Sequence, residues 1–236
     1  QLDFPQINDY RMTEGLNQLK TNLAFCGKDI KVITMTSSVP KEGKSSVSFS
    51  LAKTLAESGK KILMVDADLR KSVMAAKYHI QGIDKGLSHY LTGQAEIEDI
   101  IYETEVDGFY LAVAGPLTPD PTTLLDSDAF KQFISKARED FDYVIIDTPP
   151  AGIIGDAQIF AHCADAVMIV AKQNYMLAED INEVMDAFRD KEGKVLGVVL
   201  NGVRSFSGLV DSPVGHYYGK YSKYGRYGNY GRSKGM

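Results

Sequence analysis

Between Ser38 and Ser45 the chain reads Ser-Val-Pro-Lys-Glu-Gly-Lys-Ser, the spacing of GxxxxGK[ST] with Ser in place of the first Gly. Residues of these types in this order make an anion site. Backbone N–H groups of such a loop, and of the helix it opens, converge on a phosphate. Gly43 lets the backbone approach closely. Lys44 sets a positive charge against the β- and γ-phosphates, and the Ser45 hydroxyl is a hard oxygen ligand for Mg²⁺. Ser38, Pro40, Glu42, Gly43, Lys44, Ser45 and Ser46 are therefore the candidate ATP-binding residues of the loop.

Two further apolar runs end in acids. Ile62-Leu63-Met64-Val65 leads into Asp66-Ala67-Asp68-Leu69-Arg70, and Tyr143-Val144-Ile145-Ile146 leads into Asp147-Thr148-Pro149-Pro150. In a strand the side-chain period is two, so Asp66 and Asp68 are expected to point the same way. Acids at the carboxyl edge of an open α/β sheet lie where ligands bind. Near Mg·ATP such a pair suits metal coordination and acceptance of a hydroxyl proton. Asp147 reads as the acid that holds Mg²⁺ through water. The candidate catalytic residues are Lys44, Asp66 and Asp68, and the candidate metal set is Ser45, Asp66, Asp68 and Asp147. A single strand-end Asp reads better as a solvated turn; the three motifs together do not.

These groups need a scaffold that brings strand ends together. Strands are predicted at 31–36, 61–66, 109–114, 143–147, 166–171 and 195–200, and helices at 46–57, 95–102, 123–138, 156–162 and 177–189. A further helix spans 13–25. Gly59 stands where a helix C-terminal Gly belongs. Apolar strands alternating with amphipathic helices predict an α/β fold with a mainly parallel sheet sandwiched by helices. One domain is expected over 1–204, followed by a Gly/Tyr-rich tail over 205–236.

That tail carries Tyr217, Tyr218, Tyr221, Tyr224, Tyr227 and Tyr230 among Gly, Lys and Ser. From Ser205 onward, five Lys or Arg stand against one Asp, a net of +4. With so few aliphatics it cannot offset its ordering entropy by burial. Over all 236 residues the net charge is −5, which gives no global case for nucleic-acid binding. No run of about 18 apolar residues is present, so no bilayer span is expected. Cys26 and Cys163 form neither a CxxC pair nor a zinc spacing. The chain opens on Gln1 rather than Met, compatible with a piece of something longer.

The three motifs, in this order, resemble those of the bacterial tyrosine kinases of capsule and exopolysaccharide synthesis. The family's SxxPGEGKS compares with Ser37-Ser38-Val39-Pro40-Lys41-Glu42-Gly43-Lys44-Ser45, its DxDxR with Asp66 to Arg70, and its IIDTPP with Ile145 to Pro150. Its AGPxPPNPxELL compares with Ala114 to Leu125, and a tyrosine-rich tail is its usual ending. The resemblance covers roughly Thr13 to Tyr230. It implies a P-loop NTPase fold of the Min/Par-like type and ATP-dependent autophosphorylation of the tail tyrosines. It also implies an Asn201 contact with adenine, and a proton-accepting Asp66 with Asp68 assisting at the metal. A transmembrane polysaccharide co-polymerase or adaptor would activate the kinase at the inner face of the cell membrane, and a tyrosine phosphatase would oppose it; no specific nucleic acid is implied.

Glu14 to Leu23 is similar to the family's ExxRxxRTNL helix, which packs subunits into a homo-oligomeric ring suited to phosphorylation in trans. Asn17 and Lys20 occupy its two Arg positions. Lys and Arg are not interchangeable at bidentate contacts, so no subunit number follows. The main alternative is a non-kinase partitioning or assembly ATPase of the same fold. Such proteins carry a second Lys just after the first P-loop Gly, where this chain has Val39. A nucleotide-gated module whose basic tail contacts nucleic acid or membrane is a third reading.

Overall fold

The computed structural model describes residues 10–72, 74–78, 80, 82–151, 157–191 and 193–203. The central strand β1 (Val32–Ser37) is buried along its whole length. It lies between β5 (Tyr143–Asp147) and β6 (Ala166–Lys172). On the far side of β5 comes β2 (Ile62–Asp66), then β4 (Phe109–Ala112). β3 (Tyr102–Glu103) closes one edge and β7 (Val195–Asn201) the other. The order is β3-β4-β2-β5-β1-β6-β7. Only the β3–β4 pairing among these is antiparallel.

Strand side chains alternate between faces, so strands covered on both sides must be apolar throughout. On one face Ile33, Met35, Ile62, Met64, Ile145 and Met168 pack with α1 (Tyr10–Phe25) and α2 (Lys44–Glu57). Leu16 and Leu23 anchor α1, and Phe49, Leu51 and Leu55 anchor α2. On the other, Val32, Leu63, Val65, Val144, Ile146 and Ile169 meet Phe130, Phe133, Phe160 and Phe188. Those rings come from α6 (Asp128–Asp140), α7 (Ala157–Cys163) and α8 (Ala178–Arg189). Full burial of such side chains contributes roughly 1.5–3 kcal/mol each. The mainly parallel, helix-sandwiched sheet is the one expected.

α2 ends as the sequence indicates. Gly59 has φ +85°, its N–H donates to Ala56 O, and Lys60 N–H donates to Leu55 O. That pair of bonds is a Schellman cap.

Two expected helices are corrected. Residues 95–102 hold one 3₁₀ turn, Ile97–Asp99, and then strand β3. Tyr102 and Glu103 pair with Leu111 and Tyr110 across a turn at Gly108, so sheet pairing overrides the helical spacing of the isoleucines. The helix expected over 123–138 is two helices, α5 (Pro121–Leu125) and α6. Asp120 caps the first through Thr123 N–H, and Ser127 caps the second through Phe130 N–H. Two short helices unforeseen in the sequence, α3 (Met74–Lys77) and α4 (Leu87–Leu91), fill the β2–β3 connection.

Among the described residues no helix is long and apolar enough to cross a membrane. The boundary expected at 204/205 and all six tail tyrosines lie outside the described residues. Ser127→Ala removes a cap and is expected to cost about 1 kcal/mol. Urea unfolding checks this, with nucleotide affinity left unchanged.

Candidate active site

The sheet order brings the three motifs together. β1 delivers the loop Ser38–Gly43, β5 delivers Asp147 and β2 delivers Asp66, from three adjacent strands. Asp66 and Asp147 are register partners. Register partners on parallel neighbours point to the same face about 4.8 Å apart, so the two carboxylates stand side by side. Both are almost fully buried.

Lys44, also buried, donates from Nζ to Asp147 Oδ1 at 2.7 Å. Ser48 Oγ donates to the same oxygen at 3.1 Å, and Lys44 Nζ reaches Ser45 Oγ at 3.2 Å. Asp66 accepts from Ser72 Oγ and from Asp68 N–H. Burial, and next the neighbouring Asp147 charge, push the Asp66 carboxyl up to about 7. Two buried acids thus face one buried ammonium.

The loop itself is braced from within. Glu42 is buried; its carboxylate accepts from Val39 N–H at 2.9 Å and from Lys172 N–H at 3.2 Å. Asn201 Nδ2 donates to Glu42 O at 2.8 Å. Gly43 has φ +91°, and a Cβ there would meet Asn201 Nδ2 at 2.1 Å, so both conformation and space call for glycine. Lys41 also adopts a left-handed φ of +70°, a conformation that disfavours L side chains. Pro40 and Lys41 are exposed at the crest of the loop. Thr148, whose N–H and Oγ1 both donate to Met35 O, ties the segment after β5 to β1, as does Ala151 N–H bonding to Ser37 O.

The arrangement fits a nucleotide with a dication. Gly43 supplies no side chain to cap α2, and no acid sits in its first turn, so N–H donors there face an anion site. Ser38 Oγ is buried without a hydrogen-bond partner among the described residues. The acid in excess over Lys44 suits a cation, which Asp147, Asp66 and Ser45 could help hold.

Several expected site residues stand differently. β2 ends at Asp66, so the two-residue period does not extend to Asp68. The half-buried Asp68 instead accepts from Lys71 N–H at 2.9 Å and shapes the turn. Among the described residues no three His, Cys, Asp or Glu gather into a group that could hold a metal ion, so Asp66, Asp68 and Asp147 do not form a cage. Mg²⁺ sites commonly use only one or two carboxylates with water and phosphate oxygens. The Glu42 carboxylate turns into the loop's support rather than into the anion cradle. Asn201 holds loop backbone. Ser46 follows in the first turn of α2.

Ser48, Ser72 and Lys172 were not singled out from the sequence. Ser48 lies four residues after Lys44, on the same face of α2, which is a usable signal. Nothing in the spacing marks Ser72.

Asp66 binds its proton more tightly in the folded chain than in the unfolded one. Between pH about 4 and about 7 the folded state therefore holds more protons, and stability falls as pH rises through that window. Asp66→Asn is expected to raise the melting temperature of nucleotide-free protein at pH 8, by an effect on the order of a few kcal/mol. The gain should fade near pH 4, which calorimetry across pH checks. Gly43→Ala is expected to displace Asn201 and weaken nucleotide binding at least about tenfold, that is by 1.4 kcal/mol, measured with a fluorescent nucleotide.

Residues 30–194 match the family model described as an AAA domain. The tyrosine-protein kinase CpsD of Streptococcus agalactiae serotype III (strain NEM316) is 39% identical over 190 residues, covering 80% of this chain and 82% of the relative. The kinase domain of Escherichia coli tyrosine kinase ETK superposes with a TM-score of 0.77 at 29% identity, over 83% of this chain and 79% of that one. The cell division ATPase MinD of Pyrococcus furiosus gives a TM-score of 0.62 at 25% identity, over 72% and 71%. With the phosphate loop, Asp66 and Asp147 gathered on one edge of a sheet of this order, the chain belongs to the bacterial tyrosine-protein kinases and has their P-loop nucleotide-binding fold.

Proposed function

We propose that the chain transfers the γ-phosphoryl group of Mg·ATP to the tyrosines of its own tail, Tyr217, Tyr218, Tyr221, Tyr224, Tyr227 and Tyr230, in a capsular or exopolysaccharide pathway. The observation that carries this reading is the Lys44–Asp147 ion pair set beside the buried Asp66 carboxyl, whose pKa of about 7 leaves an ionised fraction free to take a proton near neutrality. The backbone N–H groups from Lys41 to Ser46, at the crest of the loop and the start of α2, cradle the phosphates, and Lys44 leaves Asp147 to pair with them. Ser45 and Asp147 would hold Mg²⁺, which would supply neutralisation of the phosphate charge.

In the transfer, the bond between the γ-phosphorus and the bridging oxygen breaks and ADP leaves with the electron pair. A new P–O bond forms at the tyrosine Oη, and the phenol proton passes to the Asp66 carboxylate. A carboxylate with a pKa of about 7 suits a base working near neutrality. Asp68 serves by shaping the turn that carries Asp66. Asn201 holds the loop at Glu42 O and also contacts adenine.

The domain reading is a kinase unit through residue 204 and a separate tail. Each phosphate adds about −1.5 to −2 charges, so a few reverse the sign of the tail and loosen a ring assembled for phosphorylation in trans. A membrane-spanning adaptor brings the kinase to the inner face of the membrane, and a tyrosine phosphatase resets it. Val39, at the position of the second Lys, disfavours the partitioning-ATPase alternative.

Tandem mass spectrometry of full-length protein incubated with Mg·ATP tests the reading. Phosphate is expected on the tail tyrosines, lost in Lys44→Met and slowed ~10²–10⁴-fold in Asp66→Asn. ADP release with an unmodified tail, even with a cognate adaptor present, would overturn it.

A further inference from the structure

A cavity of about 350 Å³ opens between α4 and the segment Pro116–Asp120 that leads from β4 into α5. It lies on the sheet edge that carries the phosphate site: Val65 of β2 is opposite Ala112 of β4, and one residue further along β2 is Asp66. The two places are also joined directly. Arg70, in the turn after Asp66, donates from Nη2 to Thr122 Oγ1 of α5 at 2.5 Å.

Pro116, Leu117, Pro119 and Leu124 give the cavity apolar walls. Two buried hydroxyls sit in that wall. Ser88 is 4% exposed, and neither its Oγ nor Thr118 Oγ1 has a hydrogen-bond partner among the described residues. Buried polar atoms are almost always paired, because each one left unpaired is costly. Two spare hydroxyls lining one cavity therefore point to a ligand that completes them. Gly115 keeps Ser88 Oγ clear: a Cβ there would lie 2.6 Å from that oxygen, and its φ of +81° independently favours glycine.

At the rim stands Asp120. The Thr123 hydroxyl and N–H, which it accepts while capping α5, hold its carboxyl below the usual range, so it is ionised near neutrality. Apolar walls that also carry His89, Thr92 and Gln94, with two unpaired hydroxyls and one negative charge at the rim, match an aromatic ring that has a polar tip and a basic neighbour. Tyrosine is such a ring, with an apolar body and a hydroxyl that seeks a partner when buried. The volume falls within the range of small-ligand sites, ~300–1,000 Å³.

We propose that this cavity is a docking subsite for the peptide substrate: it takes one tyrosine of a Gly-, Lys- and Arg-rich segment, while another tyrosine of the same segment reaches Asp66. The composition required is that of residues 217–230, where tyrosines recur every few residues between Gly, Lys and Arg. The inference rests on the tyrosine-kinase reading and adds to it a site for substrate recognition. The aromatic ring packs against Leu117 and Leu124, Ser88 and Thr118 bond its hydroxyl or adjacent backbone, and Asp120 attracts the flanking Lys or Arg.

The test uses full-length protein and a fluorescein-labelled synthetic peptide of residues 215–232, with binding read by anisotropy. Leu117 is 67% exposed and Ser88 Oγ holds up no other group, so Leu117→Arg and Ser88→Ala should both fold. Leu117→Arg is expected to weaken peptide binding at least tenfold and Ser88→Ala severalfold, with nucleotide affinity unchanged. KM for peptide phosphorylation should rise by the same factors while kcat stays within twofold. A peptide with every Tyr replaced by Ala should bind at least tenfold more weakly than the parent. The proposal is overturned if wild-type protein does not bind the peptide, if Leu117→Arg binds it as well as wild type, or if the Ala peptide binds equally. Because binding is measured without phosphate transfer, a chain that binds the peptide in this Leu117-dependent way yet leaves its tail unmodified would retain the docking subsite and lose the autokinase reading.

Discussion

Pairing β5 in parallel between β1 and β2 fixes Asp147 flush with Asp66 and one strand from the phosphate loop. That register forces two carboxylates and one ammonium into a space water scarcely enters. A buried ion pair broken by loss of one partner costs about 3–5 kcal/mol, since the survivor is left uncompensated. Lys44 and Asp147 therefore depend on each other, and Asp66 meets the remaining imbalance by holding its proton. Ser48 and Ser72 spread the charge through hydrogen bonds. A cation and a polyphosphate arriving together would settle all three groups at once.

The fold alone does not select the chemistry. The sheet order and helix layers are shared by a tyrosine kinase domain and a cell division ATPase. A shared scaffold hosts several activities, and the site residues decide among them. Here the deciding residues are few. Val39 leaves the position just after Ser38 without a cation, and the Asp66–Arg70 turn is bonded to the Pro-rich segment through Thr122.

The parts of the molecule legible in the sequence were those set by local pattern. Strand runs such as KILMVD and YVIID are apolar because both faces are covered, and Gly59 marks a helix end because a left-handed residue is needed there. Gly43, Lys44, Asp66 and Asp147 were legible because their spacing carries the chemistry. What escaped was set by distant partners. Tyr102 became strand by pairing with Leu111, and the break at Ser127 is a capping event inside an unbroken helical pattern. Asp68 was misplaced because β2 stops at Asp66, two residues before the alternation would have aligned Asp68 with it. The inward turn of Glu42 depends on the Lys172 N–H, 130 residues away, which no local window can see.

The Glu42 brace has a kinetic consequence. Ordering a flexible residue costs roughly 1–2 kcal/mol of backbone entropy. A loop whose curvature is already fixed at Val39, Lys172 and Asn201 meets little of that cost when a nucleotide arrives. Capture then resembles a key entering a cut lock, and the slow event moves to the one group that must change allegiance, the ammonium of Lys44.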